Sequence, residues 1–453
     1  MSLHNLLRQR AEEDNPIRVG VIGAGKFGSM YLAQARRTPG IHVIGVADLA
    51  PDRAREALRR VGWPDDQFDA TSIDDSVATG KTFITEDSEG LVAADGLDVI
   101  VDATGVPAVG IRHALLAATH GRHIVMVNVE ADVLAGPLLA RKVKAAGGVY
   151  SLAYGDQPAL ITEIVDWART SGFEVVAAGK GTKYLPEYHE STPDTVWAHY
   201  GQNLTPEEAA AAGLNSQMFN SFLDGTKSAI EMAAVANATG LTPAPEGLSF
   251  PPSGTQDLTH VLRPREEGGV LNHKGQVEVI SSSERDSREV VNDLRWGVYA
   301  ILEAPDDYVR ECFAQYGLTS SADGRYAAMY KPYHLIGLEL GISVANAALR
   351  GEATGAPDAW RGDVVATAKR DLNVGEVLDG EGGYTVWGRL MPAEGSLSIS
   401  GLPIGLAHNV TLKRNICRGE RISWNDVEID ETSDAYRIRR ELEDSFALSK
   451  TKQ

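Results

Sequence analysis

Cysteine is nearly absent: Cys312 and Cys417 are the only two in 453 residues. That is too few for a disulfide framework, and their separation fits no zinc motif, so a reducing, cytoplasmic setting is expected. Long apolar runs are missing as well. Nothing approaches eighteen consecutive apolar residues, and residues 1–15 read as a polar amphipathic helix with Leu3, Leu6 and Leu7 on one side. Neither a membrane segment nor a signal peptide is expected. Basic residues are outnumbered, 43 Lys and Arg against 62 Asp and Glu, for a formal charge of −19. This excess repels phosphate backbones and anionic lipid, which argues against nucleic acid and membrane partners. An anionic small molecule would need a local basic pocket. The 11 histidines are scattered, with no HExxH, no CxxC and no clustered His/Asp triad, so no metal site is expected. A serine hydrolase elbow is absent too.

What is present is enough chain, 43% of it hydrophobic, for two or three domains. Residues 16–150 alternate short β-rich apolar runs (18–22, 41–47, 98–102, 123–128) with helical stretches (29–37, 51–61, 108–120). That alternation predicts an α/β fold, a doubly wound parallel sheet of Rossmann type. Beyond it, a helix over 158–170, a strand over 173–178 and an irregular polar stretch through 205 read as a central α+β domain. An alanine-rich helix over 227–239 follows, then a Pro/Gly/Ser-rich loop over 241–254, of the kind that lines sites. The phrase GEATGAPD at 351–358 has linker composition. After it a strand over 363–369 leads to DLNVGE at 371–376, a phrase echoed by NICRGE at 415–420, which suggests two comparable β units. The expected division is therefore 1–150, 151–350 and 351–453.

Gly23-Ala24-Gly25-Lys26-Phe27-Gly28 directly follows the first strand and opens a helix, the context that lifts GxGxxG above chance. Gly23 allows the tight turn, Gly25 lets a pyrophosphate approach the backbone, and Gly28 lets helix and strand pack closely. The free N–H groups at Lys26 and Phe27 and the positive end of the helix dipole suit the phosphates. Asp48, at the end of the second strand, is placed to accept hydrogen bonds from both ribose hydroxyls, which favours NAD over NADP; Arg53 and Arg55 could soften that preference. Two later strand ends should border the same cofactor: Thr104 and Gly105, then Asn128. Glu130 beside them could orient a substrate hydroxyl.

Hydride chemistry needs a group that exchanges the proton of the substrate oxygen. Around DGTKSAIE, the spacing of Asp224, Lys227 and Glu231 puts two carboxylates and an ammonium on one helical face, among small apolar residues. The plainer alternative is an exposed i,i+4 ion pair. Gly179-Lys180-Gly181-Thr182-Lys183 reads as a turn after the strand 173–178, where Lys180 and Lys183 could meet an anionic or carbonyl group, or simply be solvated. Tyr330-Lys331-Pro332-Tyr333-His334 precedes an apolar helix containing Glu339; Tyr333 and His334 are candidate substrate contacts, and capping is the other reading for His334.

On VDATGVPAVG, MVNVEADV, AAGKG, DGTKSAIEMAAVANATG and KPYHL, the chain resembles the homoserine dehydrogenase-like proteins with a terminal SAF domain, a group that includes deoxyxylulose phosphate reductoisomerase-like enzymes. The resemblance implies a nicotinamide-binding domain, a central catalytic and oligomerisation domain and, over 363–430, the SAF module. It implies hydride chemistry on a small polar substrate, with Lys227 as proton donor or acceptor, and a homo-oligomer, dimer or tetramer. In place of the Asn-Lys pair of homoserine dehydrogenases, Asn128 is followed here by Val129 and Glu130. Two other classes fit the same features: a nucleotide-sensing or carbohydrate-binding protein using the SAF module, and an interaction protein that docks through it.

Overall fold

A computed structural model describes residues 2–202, 204–211 and 214–450. The chain folds into two units, residues 1–160 with 334–358 and residues 161–333 with 359–453. In the first, six strands, β1 (Ile17–Ile22), β2 (Ile41–Ala47), β3 (Phe83–Thr85), β4 (Val99–Asp102), β5 (His123–Met126) and β6 (Tyr150–Leu152), form one sheet in the order β3-β2-β1-β4-β5-β6. Every pairing is parallel. The α/β, doubly wound fold expected from the alternation is thus present, and the direction of winding reverses between β1 and β4, which opens a crevice at their carboxyl ends. A parallel sheet is covered on both faces, so its strands can be apolar throughout. Val19, Val21, Val46, Val99, Val101 and Val125 are accordingly buried in a single cluster.

Part of that cluster comes from far along the chain. The helix Gly341–Arg350 packs on β1, β4, β5 and β6, burying Leu340, Val344 and Ala345. Glu339 lies in the turn before this helix rather than inside it. Gly337, at φ 78°, interrupts the apolar run there, and a Cβ at that position would meet Met30 at 2.6 Å.

The second unit holds β7 (Glu174–Thr182), β8 (Gln276–Ser281), β9 (Val298–Glu303), β10 (Thr319–Ser320) and β11 (Tyr326–Lys331), in the order β10-β11-β9-β7-β8. It also holds β12 (Gly362–Ala368), β13 (Val377–Asp379), β14 (Val386–Pro392), β15 (His408–Leu412) and β16 (Val427–Glu428), with β12 paired to β14 and β13 to β15 to β16. The echoed turns DLNVGE and NICRGE do fold alike and clasp each other. Leu372 and Ile416 exchange both backbone hydrogen bonds, each at 2.9 Å. Val374 N–H donates to the Asn415 side chain and Arg418 N–H to Asp371, both at 2.8 Å. In each turn the closing glutamate accepts from the backbone three residues back, Glu376 from Asn373 and Glu420 from Cys417. The helix Asp434–Lys450 is tied to β12 by fully buried Arg439, which holds Asp363 at 2.6 and 2.9 Å.

Burial displaces the titration of one carboxyl in the first unit across neutral pH. Asp132, in the helix Val129–Ala145, is fully buried and accepts from the Tyr150 hydroxyl at 2.9 Å. Burial pushes its carboxyl up to about 7. A carboxyl raised on folding is protonated in the folded state at mild acid pH, and the stability tied to that proton is lost as pH climbs through 7. Asp132→Asn cannot ionise. Urea unfolding at a series of pH values should show the variant gaining about 2–3 kcal/mol on the wild type between pH 5 and pH 8. A pH-independent difference would disprove the assignment.

Candidate functional site

At the carboxyl end of β1 the glycines do three distinct things. Gly23 adopts φ 94°, and a Cβ there would stand 2.7 Å from the Ala103 carbonyl oxygen; one on Gly28 would stand 2.1 Å from the Gly23 oxygen. Both positions are closed by the protein itself. Gly25 has nothing within 4 Å of its absent Cβ: the loop is open at the one position where a pyrophosphate needs the backbone bare. The helix begins at Lys26, three residues earlier than the apolar pattern indicates, because Gly25 takes the N-cap in extended geometry. Backbone N–H groups of Lys26 and Phe27 therefore sit in the first helical turn, where they have no partner within the helix. The donor set and the open cradle fit a dinucleotide.

Asp48 is held differently from the sequence expectation. Its side chain is 1% exposed, and its oxygens accept from Ala24 N–H at 2.9 Å, Ala50 N–H at 2.9 Å and the Arg53 guanidinium at 2.6 Å. It braces the glycine loop from below and presents Arg53, not a bare carboxylate, to solvent. Thr104 is anchored through N–H and hydroxyl to Asp102, at 3.1 and 2.8 Å, while Gly105 is exposed at φ 66°. Asn128, buried, caps the helix that follows it: Ala131 N–H donates to its carbonyl at 3.1 Å, and its amide donates to Thr104 Oγ1 at 3.2 Å and Val106 O at 2.9 Å. Asn128 thus fixes the Thr104 loop. Glu130, in the first turn of that helix, is half-buried.

In the second unit the central element is the helix Thr226–Thr239, twelve of whose residues are buried. Lys180 and Glu231 form a buried ion pair. Lys180 is not in a turn: β7 runs through Gly179-Lys180-Gly181 to Thr182. The glycines are required by close packing, since a Cβ on Gly179 would meet the Glu278 carbonyl oxygen at 1.7 Å and one on Gly181 the Leu294 oxygen at 2.0 Å. Lys227 is half-buried on the same face as Glu231, one turn away. Asp224 departs from the expected single face. It ends the preceding helix Ser216–Leu223, and Gly225 at φ 90° redirects the chain before the next helix starts. Its Oδ1 accepts from Thr226 N–H at 2.9 Å, and its Oδ2 pairs with Lys369 at 2.8 Å. Lys369 also donates to the carbonyls of Ser191 and Gly383, both at 2.7 Å, which fixes its ammonium beside the Asp224 carboxylate. Sequence reading left Lys369 without a role because nothing near it announces a partner 145 positions away.

Lys183, just past β7, donates to the His199 carbonyl at 2.6 Å, and burial lowers its pKa. Tyr333 is 51% exposed at the end of its unit, with the Lys331 ammonium 5.4 Å from its ring centroid. His334 is half-buried at the start of the segment that returns to the first unit. Sequence reading also missed Glu278 and His189. Glu278, on β8, is fully buried, and that burial raises its pKa. It gathers Ser249 N–H, Ser249 hydroxyl and Phe250 N–H, which pins the loop 241–254 to the sheet. His189 Nδ1–H donates to the Asp224 carbonyl at 2.7 Å, and its Nε2 accepts from the Tyr184 hydroxyl at 3.0 Å. Burial lowers its pKa and so favours this neutral tautomer. Among the described residues, no three His, Cys, Asp or Glu side chains could hold a metal ion, and no helix is long and apolar enough to cross a membrane.

The parallel sheet of the first unit and the mixed sheet of the second make this an α/β chain. Residues 155–340 match the family model described as oxidoreductase DRL, catalytic domain, and Lys180, Asp224, Lys227 and Glu231 all lie within that span. A 1-deoxy-D-xylulose 5-phosphate reductoisomerase from Xanthomonas oryzae pv. oryzae (strain PXO99A) is 32% identical over 138 residues, 30% of this chain and 31% of the relative. The match thus spans about a third of that relative's length. Among solved structures, a probable dehydrogenase from Thermotoga maritima aligns at 13% identity over 70% of this chain and 69% of its own, with a TM-score of 0.31. An Agrobacterium radiobacter oxidoreductase in complex with NAD+, L-tartaric acid and magnesium aligns at 15% identity over 37% of this chain and 44% of its own, with a TM-score of 0.26. Likeness this slight does not bear on substrate or cofactor.

The glycine loop makes a separable prediction. Gly25→Ala should leave the melting temperature within about 2 °C of wild type while weakening dinucleotide binding at least roughly tenfold, as read by quenching of intrinsic fluorescence. Gly28→Ala, which drives a methyl into the Gly23 carbonyl, should instead lower stability by about 2 kcal/mol or more. Equal effects of the two variants on stability would contradict the division of roles.

Proposed function

We propose that the chain is a nicotinamide-dependent oxidoreductase that oxidises a CH–OH group, or reduces the corresponding carbonyl, on a small polar substrate: a polyol, sugar phosphate or hydroxy acid. The observation that carries the reading is the buried Lys180–Glu231 pair, with Lys227 on the same helix face, inside the span that matches an oxidoreductase catalytic domain. The Gly23–Gly28 loop, with Lys26 and Phe27 at the helix start, would hold the pyrophosphate. Thr104, Gly105 and Asn128 belong to the loops that would border the ribose and amide. A nicotinamide held there would supply the hydride-transfer chemistry.

Lys227 takes the hydroxyl proton as the substrate carbon becomes a carbonyl, and gives it back in the reverse direction. Glu231 positions Lys180, whose ammonium would polarise the same oxygen or hold an adjacent one. Asp224, locked to Lys369, acts by fixing the start of the Lys227 helix. Glu130, Lys183, Tyr333 and His334 are the proposed substrate contacts. The reductoisomerase named among the relatives adds a sugar phosphate, with rearrangement of its carbon skeleton, to the substrates worth trying. Both NAD and NADP are proposed as cofactors: Asp48 stands where a ribose acceptor would, but its oxygens are engaged and Arg53 offers a cation at the same place. We further propose a cytoplasmic homo-oligomer, and that residues 363–430 form a SAF-like module, the latter supported by its two interlocked turns.

The test is a screen of polyols, aldonates and sugar phosphates for absorbance change at the nicotinamide band, followed by Lys227→Met. The variant should lose about 10²–10⁴-fold in kcat while binding dinucleotide as the wild type does. Wild-type turnover by Lys227→Met would remove Lys227 from the chemistry.

A further inference from the structure

The helix Thr226–Thr239 has a second face. Lys227 and Glu231 are each two residues from Ala229, so at 100° per residue they project from roughly the opposite side of the helix. Ala229 and the preceding Gly225 line a cavity of about 160 Å³. Its other walls include His189, the loop 241–254 at Glu246, Leu248 and Phe250, and β14 at Trp387 and Arg389. Alternation along β14 puts Trp387 and Arg389 on one side of the strand, while Gly388 between them faces the helix and donates to Thr226 Oγ1 at 2.8 Å.

The walls are flat and firm. Trp387 stacks on His189 with centroids 3.9 Å apart, and Tyr184 stacks on Phe250 at the same distance. Besides Glu278, Arg285 clamps the loop by donating to the Ser249 and Phe250 carbonyls at 3.0 and 2.9 Å. The charge is unbalanced. Arg389 and Arg421 share one carboxylate, Glu246, at 3.0 and 3.3 Å. The Glu246 side chain is 83% exposed, against 26% and 28% for the two arginines. A solvated carboxylate is a weak counter-charge for two partly desolvated guanidiniums. Arg421 Nε is buried with no acceptor among the described residues. Burial and the neighbouring Arg421 both lower the Arg389 pKa, the expected response to an excess of positive charge. His189 is neutral here and adds none.

We propose that this cavity is a ligand site, separate from the Lys180–Glu231 face, for a small aromatic carboxylate. Arg389 Nε and Nη2 already donate to the Glu246 carbonyl and carboxylate, so the ligand carboxylate lies on the Nη1 side of the guanidinium, and the ring packs between Trp387, Phe250 and Leu248. Such a ligand supplies the negative charge that Glu246 alone does not.

Calorimetric titration of the full chain with benzoate tests this, with inorganic phosphate and benzyl alcohol as the charge-only and ring-only comparators. Benzoate should bind one to one, in the millimolar range or tighter, and better than either comparator by at least roughly tenfold. Arg389→Gln should weaken benzoate at least roughly tenfold. Leu248→Trp, a loop substitution that fills the cavity, should abolish its binding with the melting temperature preserved. No saturable benzoate heat, or unchanged affinity in both variants, would overturn the site; phosphate binding as tightly as benzoate would overturn the aromatic part of the assignment.

Discussion

A helix buried on nearly every side can carry charge only where a partner is built for it. The helix Thr226–Thr239 contacts β7 and β8 as well as β12 and β14, and an ionised side chain left alone there would cost several kcal/mol. Much of the second unit is arranged around that constraint. Glu231 is met by Lys180, and Asp224, at the mouth of the helix, by Lys369. Asn237 satisfies the backbone N–H groups of Arg361 and Gly362 at 2.7 and 2.9 Å as β12 begins. Beside Asn237 the helix meets β12 with alanines, and Gly362 sits 3.1 Å, measured from its would-be Cβ, from the Ala233 backbone and 3.3 Å from the Ala236 side chain. The polar pairs fix rotation and register, and the alanines permit the approach.

This dependence explains what was legible in one dimension and what was not. The parallel sheet could be read because its periodicity is local: a strand, a glycine turn and a helix are contiguous. The Gly23–Gly28 loop, Asn128 after β5 and the two echoed turns were visible for the same reason. Lys180 was misplaced because glycines on both sides mimic a turn; in fact they admit the Glu278 and Leu294 carbonyls, whose approach is invisible in sequence. Asp224 was misplaced because a 3.6-residue period was carried across Gly225, where positive φ resets it. The helix Gly341–Arg350 looked like part of the middle of the chain, yet it completes the core of the first unit. No composition signal says which of two cores an amphipathic helix will join.

Asp48 shows how one residue can serve geometry before recognition. A carboxylate at the end of β2 is commonly read as a ribose acceptor, but here its oxygens hold the backbone of the loop that would take the pyrophosphate. Removing it would alter the loop as well as the selectivity, so an Asp48 variant alone cannot separate the two roles. Arg53 can, because it is 62% exposed and pairs with Asp48 from the solvent side.

The overall charge of −19 places a limit on how any anion is recognised. Beyond a Debye length, about 10 Å at ordinary ionic strength, that excess is screened. A site can therefore be locally positive on an acidic protein if its cations lie within that radius and are shielded from water. The chain meets this condition by burial rather than by number: Lys180 and Lys369 are buried, and Arg389 and Arg421 are partly so. Each is held by a carboxylate or carbonyl that fixes its direction. Selectivity for an anion then depends on which of these cations has charge left after its structural partner is counted. By that measure Lys369 is spent, Lys180 is committed to Glu231, and Arg389 with Arg421 retains the largest surplus.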